Sequence, residues 1–163
     1  MWLEDSRDSG ADMIAVLQRV KRANVQVDGI EVGACKQGLY ILLGVAEGDT
    51  EQDADALVDK IVGLRIFTDE NEKMNLSIQD IGGEMLVVSN FTLLAAYKKG
   101  RRPDYMRAAR PETAELLYDY FVSRCRKSIP HVACGRFGAH MEIEQVGDGP
   151  VTIVMDSSVL LNR

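Results

Sequence analysis

Gly147-Asp148-Gly149-Pro150-Val151-Thr152, followed at once by Ile153, Val154 and Met155, is the stretch that organises the reading of this chain. A proline has no N–H to give to a strand ladder and a glycine has no side chain, so the pair leaves bare carbonyls that another backbone or a ligand approaches closely. Turn chemistry accounts for the same residues in a simpler way, as an Asp-Gly turn feeding an ordinary strand. A second stretch has to decide between the two.

Outward from this point the chain alternates between β and α patterns. Residues 131–136, 139–146 and 151–156 read as strands, the last running into a short apolar tail, Val159-Leu160-Leu161. At the other end, strands are expected at 13–20, 23–28 and 38–46. The second stops at the Asp28-Gly29 turn, and the third holds Leu39-Tyr40-Ile41-Leu42-Leu43, a run suited to burial on both faces. Thr50 with Asp53 makes a capping-box-like start to a helix reaching Leu64, with Ala54, Leu57, Val58, Ile61 and Val62 at helical spacing. Pro111 and Glu112 open a second helix to Lys127, with Ala114, Leu117, Phe121 and Cys125 on one face. Between the helices, 68–83 is polar and turn-rich, Met85-Leu86-Val87-Val88 is a buried strand, and 94–110 is a loop. The strand delivers Ser89-Asn90-Phe91-Thr92-Leu93 at its end. The expected fold class is mixed, β-rich α/β: a barrel-like antiparallel or mixed β structure with two packed helices. One domain is expected over 13–163, after a flexible extension over the polar, unpatterned residues 1–12.

With 46% hydrophobic and 27% charged residues in 163, and no apolar run near eighteen residues, the sequence reads as a globular protein without a membrane span or secretory signal. A cytoplasmic location is the default. Cys35, Cys125 and Cys134 are odd in number and form no CxxC, which argues for packed, reduced thiols. Of the net charge of −6, the first twelve residues carry half, so the body is only mildly acidic. Within it Lys98, Lys99, Arg101, Arg102, Arg107 and Arg110, opposed by Asp104 alone, give net +5 over 98–110, a patch able to contact a polyanion or simply a solvated loop.

Side chains suited to catalysis are few. The two histidines, His131 and His140, are far in sequence from Ser89 and Thr92, and no nucleophile elbow surrounds either residue. Cys125, His131, Cys134 and His140 fit no compact zinc spacing. Neither GxxxxGK[ST] nor GxGxxG occurs. Cofactor-free and metal-free chemistry is the expectation.

Ser89-Asn90-Phe91-Thr92-Leu93 resembles the Ser-Gln-Phe-Thr-Leu motif of the D-aminoacyl-tRNA deacylases, and Gly149-Pro150-Val151-Thr152 matches their Gly-Pro-Val-Thr motif. The two occur in the family's order and at its distance. The similarity extends from Met13 to Asp156 through Leu64-Arg65-Ile66-Phe67, Lys73-Met74-Asn75-Leu76, Gly100-Arg101-Arg102-Pro103 and Gly135-Arg136-Phe137-Gly138-Ala139. Asn90 stands where the family usually has glutamine, and Gly147 where asparagine is common. The resemblance implies a homodimer that hydrolyses the ester between a D-amino acid, or glycine, and the 3′-terminal ribose of tRNA. It implies Ser89, Asn90, Phe91 and Thr92 at the catalytic centre, with oxyanion donors from backbone N–H groups around Phe91 and Thr92. Attack by water, assisted by the ribose 2′-hydroxyl, is implied over attack by Thr92. Gly149, Pro150, Val151 and Thr152, with a cis peptide, are implied to enter the partner subunit's site, the Gly149 and Pro150 carbonyls facing the substrate ammonium and the backbone against the α-carbon excluding L-residues. Lys98, Lys99, Arg101 and Arg102 are the expected tRNA contacts. A non-catalytic RNA-binding dimer of the same fold is the alternative.

Overall fold

The computed structural model describes residues 12–163. The expected extension over 1–12 therefore lies, except for Asp12, outside the described residues. Among the described residues, eight strands and three helices follow one another as β1 (Ile14–Val27), β2 (Ile30–Cys35), β3 (Gly38–Gly44), α1 (Glu51–Gly63), β4 (Phe67–Thr68), β5 (Met74–Leu76), β6 (Glu84–Ser89), α2 (Pro111–Ser128), β7 (Val132–Cys134), β8 (Glu142–Asp156) and α3 (Ser157–Leu160), with a 3₁₀ turn over Phe91–Leu94 after β6.

The main sheet runs β2-β1-β3-β6-β7, and β8 lies along the other side of β1. The pairs β1–β2, β1–β3 and β1–β8 are antiparallel, whereas β3–β6 and β6–β7 are parallel. The sheet curls until β2 meets β7: His131 Nε2 donates to the Ala34 carbonyl at 2.7 Å. A Cβ on Gly33 would lie 2.5 Å from the Cys134 carbonyl oxygen, so only glycine permits this approach. The expected barrel-like form is thus a nearly closed sheet. Its walls are apolar on both faces because strand side chains alternate. Leu39, Ile41, Leu43, Met85 and Val87 face α1 and α2, while Tyr40, Leu86, Val88, Val20 and Val25 fill the barrel interior.

Several sequence expectations change. The strands expected at 13–20 and 23–28 are one, β1, long enough to pair with β3 and β2 in succession on one side and β8 on the other. The short return strand β2, the β4–β5 hairpin and α3 had no strong local pattern and were not foreseen. The turn expected at Asp148-Gly149 does not reverse the chain. It is an irregularity inside β8, where the register against β1 slips between Gln18 and Val20.

Both ends of the domain meet in a buried polar knot. Asp53, fully buried, accepts from the Thr50 N–H at 2.9 Å through Oδ2. Its Oδ1 accepts from the Ser157 hydroxyl at 2.7 Å and lies 3.2 Å from the Arg163 guanidinium. Ser157 Oγ in turn accepts from the Met13 N–H at 3.0 Å. Asp49 is buried nearby, one oxygen taking the Ala46 N–H at 2.7 Å and the other without a hydrogen-bond partner among the described residues.

Burial is the main reason the Asp49 carboxyl is pushed up to about 7. The Ala46 hydrogen bond and Arg163 oppose the shift, and the Asp53 and Asp12 charges reinforce it. Between the ordinary carboxylate pKa of about 4 and this raised value, the folded chain holds a proton that the unfolded chain releases. The stability this proton confers is full below about pH 4 and lost as pH rises through about 7. Asp49→Asn, which keeps an acceptor for Ala46, is expected to melt with the wild type at about pH 4. At about pH 8 it should melt several degrees higher, each kcal/mol being about 2–4 °C at this chain length. Equal differences at both pH values would show that Asp49 ionises as an ordinary carboxylate.

Candidate active site

The strand β6 ends at Ser89, paired in parallel register with Leu43. Asn90 N–H donates to the Leu43 carbonyl at 2.8 Å, carrying the ladder one residue further before the chain turns into Phe91–Leu94. Two things force the turn at this place. Leu94 is fully buried and pins its far end, and Gly44 leaves the room it needs, since a Cβ there would lie 2.6 Å from Leu94 and 3.1 Å from the Asn90 carbonyl oxygen. The Asn90 side chain caps the turn: its Oδ1 accepts from the Thr92 N–H at 3.1 Å and from the Thr92 hydroxyl at 2.5 Å.

Ser89, Asn90, Phe91 and Thr92 together line one side of a cavity of about 810 Å³. Tyr105, the segment Ala108–Pro111 and the segment Phe137–Met141 also line it. Phe91 is half exposed and meets Tyr105 edge to face, ring centroids 5.0 Å apart. Phe137 is backed by Tyr118 at 6.1 Å, whose hydroxyl is fixed by donation to the Val87 carbonyl at 2.7 Å. The walls are mostly apolar, with polar side chains from Ser89, Asn90 and Thr92 at the 3₁₀ turn and from Arg110 and His140 elsewhere in the lining. This is the composition of a site that holds a small group and orients it by a few hydrogen bonds.

His140 lines the same cavity, but the Thr92 hydroxyl donates to Asn90, and Thr92 has no general base hydrogen-bonded to it among the described residues. The Cys125/His131/Cys134/His140 set does not converge. Cys125 is in the core with its thiol pushed up to about 12 by burial, His131 bonds Ala34, and His140 faces the cavity. Among the described residues no three groups of metal-ligating type come together.

Gly149, Pro150, Val151 and Thr152 are not in the cavity lining of their own chain. They lie in the irregular part of β8, with Gly149 and Pro150 exposed and the peptide bond between them cis. Arg19 holds this bend: Nε donates to the Asp148 carbonyl at 2.9 Å and the guanidinium is 3.4 Å from the Asp148 carboxylate. Its Nη1 donates to the Ile66 carbonyl at 2.9 Å. Thr152 Oγ1 donates to Gln18 Oε1 at 2.6 Å, tying down the other end. Thus the structure gathers the first motif around a cavity and presents the second, braced, on the surface.

Lys98, Lys99, Arg101 and Arg102 are all exposed on a loop whose base is pinched by paired backbone bonds between Ala96 and Asp104, at 2.8 and 2.9 Å. Tyr105, next along, is in the cavity wall. The basic loop therefore rises from the rim of the cavity.

Residues 16–156 match the sequence profile of the D-Tyr-tRNA(Tyr) deacylase family. The chain belongs to that family. It is 61% identical over 145 residues to a D-aminoacyl-tRNA deacylase of Caldicellulosiruptor saccharolyticus, covering 89% of this chain and 97% of the relative. To the D-aminoacyl-tRNA deacylase of Clostridioides difficile it is 53% identical, covering 90% and 98%. Among solved structures, a c-Myc DNA Unwinding Element Binding Protein superposes with a TM-score of 0.83 at 40% identity, over 87% of this chain and 97% of that one. A probable eukaryotic D-amino acid tRNA deacylase superposes with a TM-score of 0.77 at 17% identity, over 89% and 99%, a likeness of fold.

Arg19 and Tyr105 were given no role by the sequence, and Phe137–Ala139 and His140 were named there without a place beside the cavity. Arg19 had a signal, a charged residue at the inward phase set by Ala15 and Leu17. The Phe137–Met141 wall carried the Gly135–Ala139 similarity and His140 as its signals, and its close packing shows in Gly135, where a Cβ would lie 2.6 Å from Met141 Sδ. Tyr105 carried no signal.

Proposed function

We propose that this protein hydrolyses D-aminoacyl-tRNA, and the observation that carries the reading is membership of the deacylase family over nearly the whole domain, with both motifs present in order. The reaction adds water to the ester carbonyl carbon. One water proton passes by way of the neighbouring ribose 2′-hydroxyl to the departing ribose oxygen as the bond to it breaks. The products are the free D-amino acid and tRNA with its hydroxyl restored. An ester needs mainly a place for the negative charge that develops on its carbonyl oxygen, and an N–H aimed there is worth about 2.7–4 kcal/mol. The Phe91 N–H, which makes no hydrogen bond to another described residue, is the donor this reading assigns. The Thr92 N–H is already given to Asn90, so the expectation that both would serve is narrowed to one.

The active unit is a homodimer in which Gly149-Pro150 of each subunit closes the cavity of the other. Support comes from the exposure of that motif outside its own cavity and from the outer edge of β8, which among the described residues pairs only with β1 and carries Val154 at 70% exposure. A backbone pressed against the α-carbon leaves space for hydrogen on one side only, which refuses L-residues and admits D-residues and glycine. The basic loop takes the tRNA phosphates, and a substrate made during translation puts the protein in the cytoplasm.

Purified protein incubated with matched D- and L-tyrosyl-tRNA tests the reaction: release of D-tyrosine alone is expected. Binding of both without release would favour the non-catalytic RNA-binding alternative. Arg101→Glu with Arg102→Glu is expected to weaken binding of all tRNAs alike. It should also flatten the salt dependence, by about 0.7–0.9 in the log–log slope for each phosphate no longer neutralised. The D/L ratio should stay as it was. An unchanged affinity and slope would return Lys98–Arg102 to a solvated loop.

A further inference from the structure

We propose that the ring of Tyr97 is the stacking surface for a base of the unpaired 3′ end of tRNA, just outside the cavity that takes the terminal ester. The inference rests on the deacylase reading above and adds to the phosphate contacts of the basic loop a contact with the bases of the single strand.

Tyr97 is 82% exposed, and among the described residues its ring pairs with no other aromatic ring. A single exposed tyrosine is ordinary on a protein surface. The neighbours of Tyr97 and its mounting give this one a use. Lys98 and Lys99 follow it directly and are exposed, as are Arg101 and Arg102. Immediately before it, Ala96 and Asp104 exchange both backbone bonds, at 2.8 and 2.9 Å. The outgoing leg of the loop rises from the buried Leu94. The return leg is held in turn: Asp104 Oδ1 accepts from the Met106 N–H at 3.2 Å, the Arg107 carbonyl accepts from the Glu47 N–H at 2.8 Å, and the Ala109 N–H donates to the Val45 carbonyl at 2.9 Å. Tyr97 is thus the first residue beyond a fixed base. A ring carried in this way loses less freedom on binding than one on an untethered loop.

The same pinch limits how far Tyr97 lies from the site. Tyr97 and Tyr105 are each one residue from the bridged pair, Tyr105 in the cavity lining and Tyr97 outside it. Consecutive Cα atoms are about 3.8 Å apart and a hydrogen-bonded antiparallel pair about 5.5 Å, so the two tyrosine Cα atoms are separated by no more than about 13 Å. In aminoacyl-tRNA, what lies this close to the ester is the unpaired 3′ end, a line of phosphates carrying bases whose faces are open. A duplex keeps its base faces stacked on one another, and phosphates alone offer a tyrosine ring nothing to pack on. An aromatic ring set among lysines and arginines is the combination that takes a single strand, the cations following the backbone and the ring covering one base face.

Uncharged tRNA tests the contact separately from the reaction. Tyr97→Ala is expected to weaken its binding about 5- to 100-fold, the range of one lost base–aromatic stack. The log–log salt slope should stay as it was, because stacking releases no counterions, whereas charge reversal at Arg101 and Arg102 flattens it. Tyr97→Phe keeps the ring and should bind within about twofold of wild type. A tRNA trimmed back to its acceptor stem lacks the occupant, so wild type and Tyr97→Ala should bind it equally. On D-tyrosyl-tRNA the loss should fall on KM with kcat unchanged. The thermal midpoint should move by no more than about a degree or two, since the side chain is on the surface. Equal binding of intact tRNA by wild type and Tyr97→Ala, or a loss of the same size on the trimmed tRNA, overturns the assignment while the deacylase reading stands. Wild-type protein that shows the expected pattern of binding yet leaves D-tyrosyl-tRNA intact overturns the reaction and leaves the stacking contact in place.

Discussion

Mixed dimers of two variants each expected to be inactive, Thr92→Trp and Gly149→Val, are expected to recover about a quarter of wild-type D-selective activity if the protein pairs as proposed. Thr92→Trp fills the cavity that Ser89–Thr92 line. Gly149→Val cannot keep the bend, because a Cβ on Gly149 would lie 2.3 Å from the Val151 nitrogen and its φ is +154°. Each homodimer therefore carries two damaged sites. When the variants are unfolded together and refolded, random pairing makes about half the dimers mixed. With Gly149-Pro150 acting across the two-fold, a mixed dimer joins the intact cavity of one subunit to the intact motif of the other, so one site in two is whole. Acting within its own chain, the motif would leave every site with a lesion. Mixed dimers shown to be present by differential tagging, yet inactive, would end the proposal that the second motif works in trans. The motivating observation is its exposure and its absence from the cavity of its own chain.

Gly38→Ala is expected to abolish soluble, folded protein. Gly38 pairs with Glu84 at the start of the parallel β3–β6 ladder. A Cβ there would lie 1.8 Å from the Glu84 carbonyl oxygen and 2.7 Å from its nitrogen. Both are backbone atoms, so no side chain can swing aside, and relief requires β3 and β6 to part. These two strands supply both faces of the barrel wall, so parting them opens the core. The cost should exceed about 4 kcal/mol, at the extreme of single substitutions and a large share of a typical ~5–15 kcal/mol total. Soluble yield and thermal midpoint measure it. Gly147→Ala is the control, because a Cβ there meets nothing within 4 Å and should leave the midpoint within a degree or two. A Gly38→Ala chain that melts with the wild type would show the ladder to be slack at this point.

The helices were legible because their signals are local. Capping at Thr50, proline at Pro111 and apolar residues at helical spacing act within a turn or two of chain, and α1 and α2 fall where those signals put them. The continuous apolar runs Leu39–Leu43 and Met85–Val88 likewise announced strands buried on both faces. Beyond this, Ser89–Leu93 and Gly149–Thr152 were marked by their resemblance to the two motifs of the family. What the sequence by itself determined, then, was the β-rich class, the two long helices and the family.

Tertiary structure decided how those stretches are used. That β1 runs unbroken to Val27, and that β8 passes through Gly149-Pro150 without reversing, depends on partners more than a hundred residues away. The same is true of the knot in which Asp53, Ser157, Met13 and Arg163 join the chain ends, and the closure of β2 on β7 spans nearly as far. Arg19 bracing Asp148 spans 129 residues. Asn90 is the instructive middle case. Its bond to Thr92 crosses only two residues, yet its meaning depends on a cavity lined also by Tyr105 and Phe137–Met141. Periodicity and turn chemistry are properties of neighbours along the chain. Which donor stays unspent, and which motif is left facing outward, follow from packing among residues that only the fold brings together.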